Sequence, residues 1–189
     1  MKVLLYTENE KMIGKSGLGK AIKHQMKALS YAGVPYTTNP SDDYDILHIN
    51  TYFPKSYMLA KKAKKHGKKI VYHAHSTEED YKNGFILANK TSKLFKKWLI
   101  KCYSLGDVIV TPTPYSKRLL KGYKGLTDKK IVDVSNGIEL DFFKEDKHLK
   151  NEFRKKYGYK DTDKVIFGIG LYIERNLILY HLIHLLFSY

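Results

Sequence analysis

The stretch KVLLYTENEKMIGKSGLGKAIKHQMKALSYAG, residues 2–33, carries the plan of the whole chain in miniature. Residues 3–7 (VLLYT) are a short apolar run, as a buried strand is. Residues 8–17 are polar and carry glycine, so they read as loop. From 18 to 32 apolar residues recur at Leu18, Ile22, Met26 and Leu29, a helical spacing, and Gly33 is a natural stop.

Outward from there the unit repeats. Residues 44–50 (YDILHIN), 69–75 (KIVYHAH), 107–111 (DVIVT), 131–134 and 164–170 (KVIFGIG) read as strands. Residues 54–66, 92–105, 114–121 and about 148–157 read as helices, and 76–84 as an acidic loop. Parallel strands need helix-length crossovers, so the pattern predicts an α/β fold: a Rossmann-like parallel sheet with helices on both faces. No internal repeat interrupts it.

Composition narrows the class. Of the 189 residues 43% are hydrophobic, enough for a packed core, so disorder is excluded. The 34 basic and 19 acidic residues leave a formal charge of +15, which attracts polyanions: nucleic acid, an anionic membrane or a phosphate-bearing substrate. One cysteine, Cys102, precludes an internal disulfide. The first residues are too briefly apolar for a signal peptide, and no segment has the ~18 apolar residues of a membrane span. A cytoplasmic protein is expected. Residues 176–189 (NLILYHLIHLLFSY) lack a polar face and read as an aberrant apolar tail left by truncation.

Three motifs carry chemistry. Gly14, Ser16, Gly17 and Gly19 lie between strand and helix, where backbone N–H groups and a helix N-terminus meet a phosphate or sugar. This is not a P-loop, because Ala21 stands where the metal-binding hydroxyl belongs. Nor is it a dinucleotide fingerprint, since Ile22 follows where a glycine should. His73 and His75 share a strand face at the carboxyl end of a central strand, with only His75 expected to reach the crevice. No third ligand follows at zinc spacing. Asn136-Gly137 reads as a tight turn with positive φ.

Together these residues resemble the N-terminal domain of a family 4 (group 1) glycosyltransferase of the GT-B fold, and within it the bacterial diacylglycerol glucosyltransferases. The resemblance rests on the loop from Gly14 to Gly19, His75-Ser76-Thr77, Pro112-x-x-x-Ser116-x-x-x-Leu120 and Asn136-Gly137-Ile138-Glu139-x-x-x-Phe143, and covers residues 2–175. It implies two Rossmann-like domains with a cleft between them, the first taking the acceptor and the second the nucleotide-sugar. It further implies transfer with retention of configuration and no metal or other cofactor. His75 would be the catalytic residue, lining the acceptor site; Gly14, Ser16, Gly17, Ser76 and Thr77 would bind acceptor, and Arg175 donor. The implied plan is an acceptor-side domain over 1–163, the first strand of a truncated donor domain over 164–175, and the tail at 176–189. Asn176 and Leu177 replace the family's Lys-Gly, and its paired donor-site glutamates have no counterpart. The chain alone is therefore expected to be inactive.

Residues 92–105 (SKLFKKWLIKCYSL) set Leu94, Phe95, Trp98, Leu99 and Cys102 on one helical face and Lys93, Lys96, Lys97 and Lys101 on the other, with Ile100 among the lysines. Such a helix suits an ordinary domain surface with a solvated lysine face or an anionic interface, and Ile100, which would meet lipid, favours the interface. The expected partners are thus a nucleotide-sugar donor, a lipid or glycolipid acceptor and an anionic membrane, with the protein peripheral on the inner face of the cell membrane. Two rivals remain from other classes. A basic nucleic-acid-binding α/β module fits the charge but has no recognition motif. A nucleotide-binding oxidoreductase domain fails on the glycine fingerprint.

Overall fold

A computed structural model describes residues 1–14, 16–82, 84, 87–141 and 144–166. Residues 167–170 of the expected last strand, Phe143, Arg175 and the tail at 176–189 lie outside them. The chain divides into two compact units, Met1–Glu139 and Leu140–Tyr189.

In the first unit β1 (Val3–Tyr6), β2 (Tyr36–Thr37), β3 (Ile46–Ile49), β4 (Lys69–His73), β5 (Val108–Thr111) and β6 (Lys130–Asp133) form one sheet in the order β2-β1-β3-β4-β5-β6. Every pairing is parallel. The connections carry α1 (Glu10–Ile13), α2 (Gly17–Tyr31), α3 (Pro54–Lys65), α4 (Glu78–Tyr81), α5 (Ala88–Tyr103) and α6 (Pro114–Lys121).

Leu4 and Leu5 show that both faces of the sheet are covered. Neighbours on a strand point to opposite faces, and both leucines are buried. Leu4 joins Leu47, Ile70, Tyr72 and Ile109 under Ala60 and Ala63 of α3 and Leu99, Cys102 and Tyr103 of α5. Leu5 packs with Ile13 of α1 and Ile22 of α2, flanked by Leu18 and Met26. The two alanines let α3 approach the sheet closely. Gly106 allows similar closeness before β5: an added Cβ would lie 3.1 Å from the Tyr72 Cβ.

Three short elements depart from the expected pattern. The four-residue helices α1 and α4 occupy segments read as loop, and the two-residue β2 was not anticipated. Each is shorter than the period by which an element announces itself. The turn expected at Asn136-Gly137 is also corrected. Gly137 is absent from the positive-φ glycines, which include Gly33, Gly67, Gly125 and Gly158. Instead the segment crosses α2, where a Cβ on Gly137 would lie 3.4 Å from the His24 Cβ and where Glu139 bonds the Lys27 ammonium at 2.6 Å. An Asn-Gly hairpin turn joins antiparallel strands, and among the described residues β6 pairs in parallel with β5 alone.

The reading of Ile100 is likewise corrected. Ile100, expected to meet lipid, is partly buried against the core, and Leu94, set on the apolar face, is 71% exposed. The buried face of α5 is Ala88, Ser92, Leu99, Cys102 and Tyr103. At 100° per residue that puts Leu94 on the far side, among the exposed Lys90, Lys93, Lys97 and Lys101. Lys96 turns inward to an ion pair with Glu78 at 3.1 Å.

In the second unit α7 (Lys147–Tyr157) starts on Asp146, whose carboxylate accepts from the N–H groups of His148 and Leu149. It stops at Gly158, whose φ of 72° is the left-handed C-cap conformation.

Candidate active site

The chain runs from β1 out to β2 and returns on the other side of β1 as β3. Beyond the carboxyl ends of the strands, the connections leaving β1 and β3 therefore diverge, and an open parallel sheet has its crevice there. Thr7 and Glu8 follow β1, Asn50 and Thr51 follow β3, and Ala74 to Thr77 follow β4.

Glu8 organises the edge. Its buried carboxylate accepts from the Ser56 N–H at 2.7 Å and the Ser56 hydroxyl at 3.1 Å. The α3 N-cap is Phe53, which has no side-chain oxygen, so Glu8 supplies the missing acceptor from the connection after β1. The Glu8 N–H in turn donates to Thr51 Oγ1 at 3.0 Å. The N-terminus of α3 is thereby filled from within.

Beside it three imidazoles stack. The rings of His73 and His75 lie 4.0 Å apart and 8° from parallel. His48 stacks on the other side of His73, at 5.6 Å and 11°. Two amides stitch this stack to α2. Gln25 Nε2 donates to Asn50 Oδ1 at 2.9 Å and lies 3.0 Å from His73 Nδ1. His75 Nε2 lies 3.1 Å from the same Asn50 oxygen. His73 Nε2, Asn50 Nδ2 and Gln25 Oε1 are buried without a protein partner. Native interiors leave few such atoms, so this cluster keeps bonding capacity in hand.

Burial, first, drives all three imidazoles below their ordinary pKa; mutual repulsion adds to the effect for His48 and His75. His73 falls to about 4, and His48 and His75 to about 3. They are neutral near pH 7, able to accept a hydroxyl proton and to offer one N–H each. Among the described residues no group of three or more His, Cys, Asp or Glu side chains could hold a metal ion.

The glycine loop proves to be two things. Ser16 caps α2, accepting from the Gly19 N–H at 3.3 Å and donating to the Ile13 carbonyl at 2.6 Å. A Cβ on Gly19 would sit 2.5 Å from the Ile13 carbonyl, so Gly19 serves the packing of α1 on α2. Gly17 is exposed and has nothing within 4 Å of its would-be Cβ. Gly14 closes α1 through its N–H to the Glu10 carbonyl. A hollow of about 100 Å³, mostly apolar, lies between Thr7, Ile13, Gly14, Gly19, Ile22 and Met26.

After His75, the Ser76 carbonyl accepts from the Tyr103 hydroxyl at 2.9 Å. Thr77 forms a capping box with Asp80 at the start of α4. Of the residues singled out in the sequence, His75 belongs to the imidazole cluster, Gly14, Ser16 and Gly17 surround the α2 N-terminus, and Ser76 and Thr77 lead into α4. His48, Asn50, Gln25 and Glu8 were missed. A polar His48-Ile49-Asn50 closing an apolar strand was the available signal.

Residues 27–142, more than half of the chain, match the sequence model of Glycosyltransferase Family 4. The chain belongs to glycosyltransferase family 4. A relative is the processive diacylglycerol alpha-glucosyltransferase of Acholeplasma laidlawii, 38% identical over 176 residues. The match covers 93% of this chain and 52% of that protein, so the chain spans about half the relative's length. The solved structure of Anabaena Alr3699/HepE in complex with UDP and glucose has a similar fold, with a TM-score of 0.50 at 13% identity. That likeness covers 84% of this chain and 50% of the other. The sheet is thus the Rossmann-like N-terminal half of a GT-B glycosyltransferase, as the motifs implied.

Proposed function

We propose that this chain is the acceptor-side half of a retaining transferase that moves a hexose, glucose foremost, from a nucleotide-sugar to diacylglycerol or a glycolipid. The observation that carries the reading is the His73–His75 pair at the crevice of the sheet, neutral and incompletely bonded beneath α2. The Acholeplasma relative's name supplies the substrate class. His75 is the catalytic residue, facing the hydroxyl that receives the sugar. Gly17 lets that hydroxyl or its phosphate-bearing neighbour approach the α2 N-terminus. The hydroxyls of Ser16 and Thr77 are occupied in caps, so Gly14, Ser16, Ser76 and Thr77 act through their backbone. No metal takes part: helix dipoles and basic groups, Arg175 among them, neutralise the leaving diphosphate.

In this reading the opposite wall of the cleft belongs to a donor half, and the match leaves about half of the relative's length for one. The chain alone is accordingly inactive. The exposed lysines of α5, with Leu94 among them, and Lys61, Lys62, Lys64 and Lys65 of α3 hold it on an anionic membrane at the inner face of the cell membrane. No helix among the described residues is long and apolar enough to cross a membrane.

The test is an assay with UDP-glucose and diacylglycerol in anionic vesicles. The chain alone is expected to give no product, and the chain joined to the donor half of the Acholeplasma relative to give an α-glucoside. In the joined protein His75→Ala lowers turnover by about 10²-fold or more. A folded joined protein without product, beside an active intact relative, sinks the reading. Flotation with anionic and neutral vesicles tests the docking face, where each lysine contributes about 1 kcal/mol. Equal recovery with both would reject it.

A further inference from the structure

We propose that Asn50 is a positioning residue that holds His75 with its proton on Nε2, so that Nδ1 offers a lone pair to the substrate hydroxyl. The inference rests on the reading of His75 as the residue that faces that hydroxyl. Asn50 follows β3 and is 2% exposed, so its carboxamide is held by protein contacts. Its oxygen lies 3.1 Å from His75 Nε2. A carboxamide oxygen accepts and never donates, so the proton between them belongs to His75.

Gln25 is what aims that oxygen. Its one nitrogen reaches Asn50 Oδ1 at 2.9 Å and His73 Nδ1 at 3.0 Å, so with His73 Nδ1 bare each of its two protons has an acceptor. Turning both amides over would reverse every donor in the chain of bonds. Asn50 would then donate to His75 Nε2, and His75 would carry its proton on Nδ1.

The ring is fixed in two further senses. Stacking on His73 at 4.0 Å and 8° sets its plane, and the Asn50 bond sets its rotation within that plane. No described residue bonds Nδ1. The titratable groups acting on His75 are His73 of β4 and His48 of β3. Gln25 and Asn50 carry no charge, so the arrangement orients His75 without protonating it.

Long-range ¹H–¹⁵N correlation on the histidines of this chain at pH 7 reads the tautomer directly, with His75→Gln supplying the assignment. The expected spectrum shows His75 protonated on Nε2 and bare on Nδ1. A proton on Nδ1, or one shared between the two nitrogens, overturns the proposal. This measurement needs no folded variant at position 50. Asn50→Asp then puts a carboxylate where the amide oxygen was. The titration midpoint of His75 is expected to rise by roughly 1–3 pH units with Nε2–H retained. A space-filling role for Asn50 would leave that midpoint in place, and this result also overturns the proposal. The spectra report the ring whatever the chain transfers. A failed transferase reading shows instead as absent glucoside with the tautomer unchanged.

Discussion

Two buried polar clusters lie a few residues apart at the same edge of the sheet, and they are built on opposite terms. Glu78, 5% exposed, has every requirement met. One carboxylate oxygen accepts from Ser92 at 3.1 Å and pairs with Lys82 at 3.3 Å; the other pairs with Lys96 at 3.1 Å. Its N–H donates to the Tyr123 hydroxyl, which donates in turn to Glu79. Burial pushes the Glu78 carboxyl upward, but the bonds from Lys96, Lys82 and Ser92 outweigh it and hold the pKa below the ordinary value. The imidazole cluster has no charge to neutralise it and leaves three buried polar atoms without a protein partner. A saturated cluster locks elements together, here α4 to α5. An unsaturated one holds its groups in place while keeping capacity for something that arrives.

The contrast breaks most visibly at Glu78. Glu78→Ala is expected to cost about 2–3 kcal/mol of stability, because it removes the charged hydrogen bonds that tie α4 to α5. Urea unfolding followed by circular dichroism measures it, and a loss well under 1 kcal/mol would mean the cluster locks nothing.

Acid separates the clusters by window. The folded imidazoles stay neutral down to about pH 4 for His73 and 3 for His48 and His75, whereas each takes a proton near 6.5 once unfolded. Between those limits the unfolded chain binds more protons, so stability falls as pH falls, by about 1.4 kcal/mol per pH unit for each histidine. Glu78, with its folded pKa depressed, loses its contribution only below its ordinary value of 4.5. Above pH 5 the slope of unfolding free energy with pH should therefore become about one-third shallower in His73→Gln and stay unchanged in Glu78→Gln. Equal slopes for wild type and His73→Gln would remove His73 from the account.

The smallest effect sharpens the same distinction within the glycine loop. Gly19→Ala is expected to destabilise by about 1–3 kcal/mol, since its methyl has no room. Gly17→Ala should change stability by less than about 0.5 kcal/mol, yet weaken whatever approaches α2. A thermal melt of both variants tests this, and a Gly17→Ala chain as unstable as Gly19→Ala would make the whole loop structural.

The long elements were legible because each carries its own period. Residues 3–7 and 107–111 announced strands by unbroken apolar runs, and 18–32 and 114–121 announced helices by spacing. The elements α1, α4 and β2 are too short to complete a period, and their existence rests on caps and neighbours. Leu94 and Ile100 were exchanged because the helical wheel fixes which residues share a face, while the position of the sheet decides which face is buried.

The sequence by itself determined the succession of the long strands and helices, the parallel sheet, the glycine-bearing edge and the place of His75 at the end of a central strand. All of these follow from interactions between residues near in sequence or from the reach of a crossover. Tertiary structure alone decided that Asn50, Gln25 and His48 meet His75, that Glu8 caps α3, and that Gly19 serves packing while Gly17 stays open. These residues come from different elements, and a hydrogen bond between them depends on atoms brought within about 3 Å by the packing of the whole sheet. No one-dimensional pattern encodes that distance.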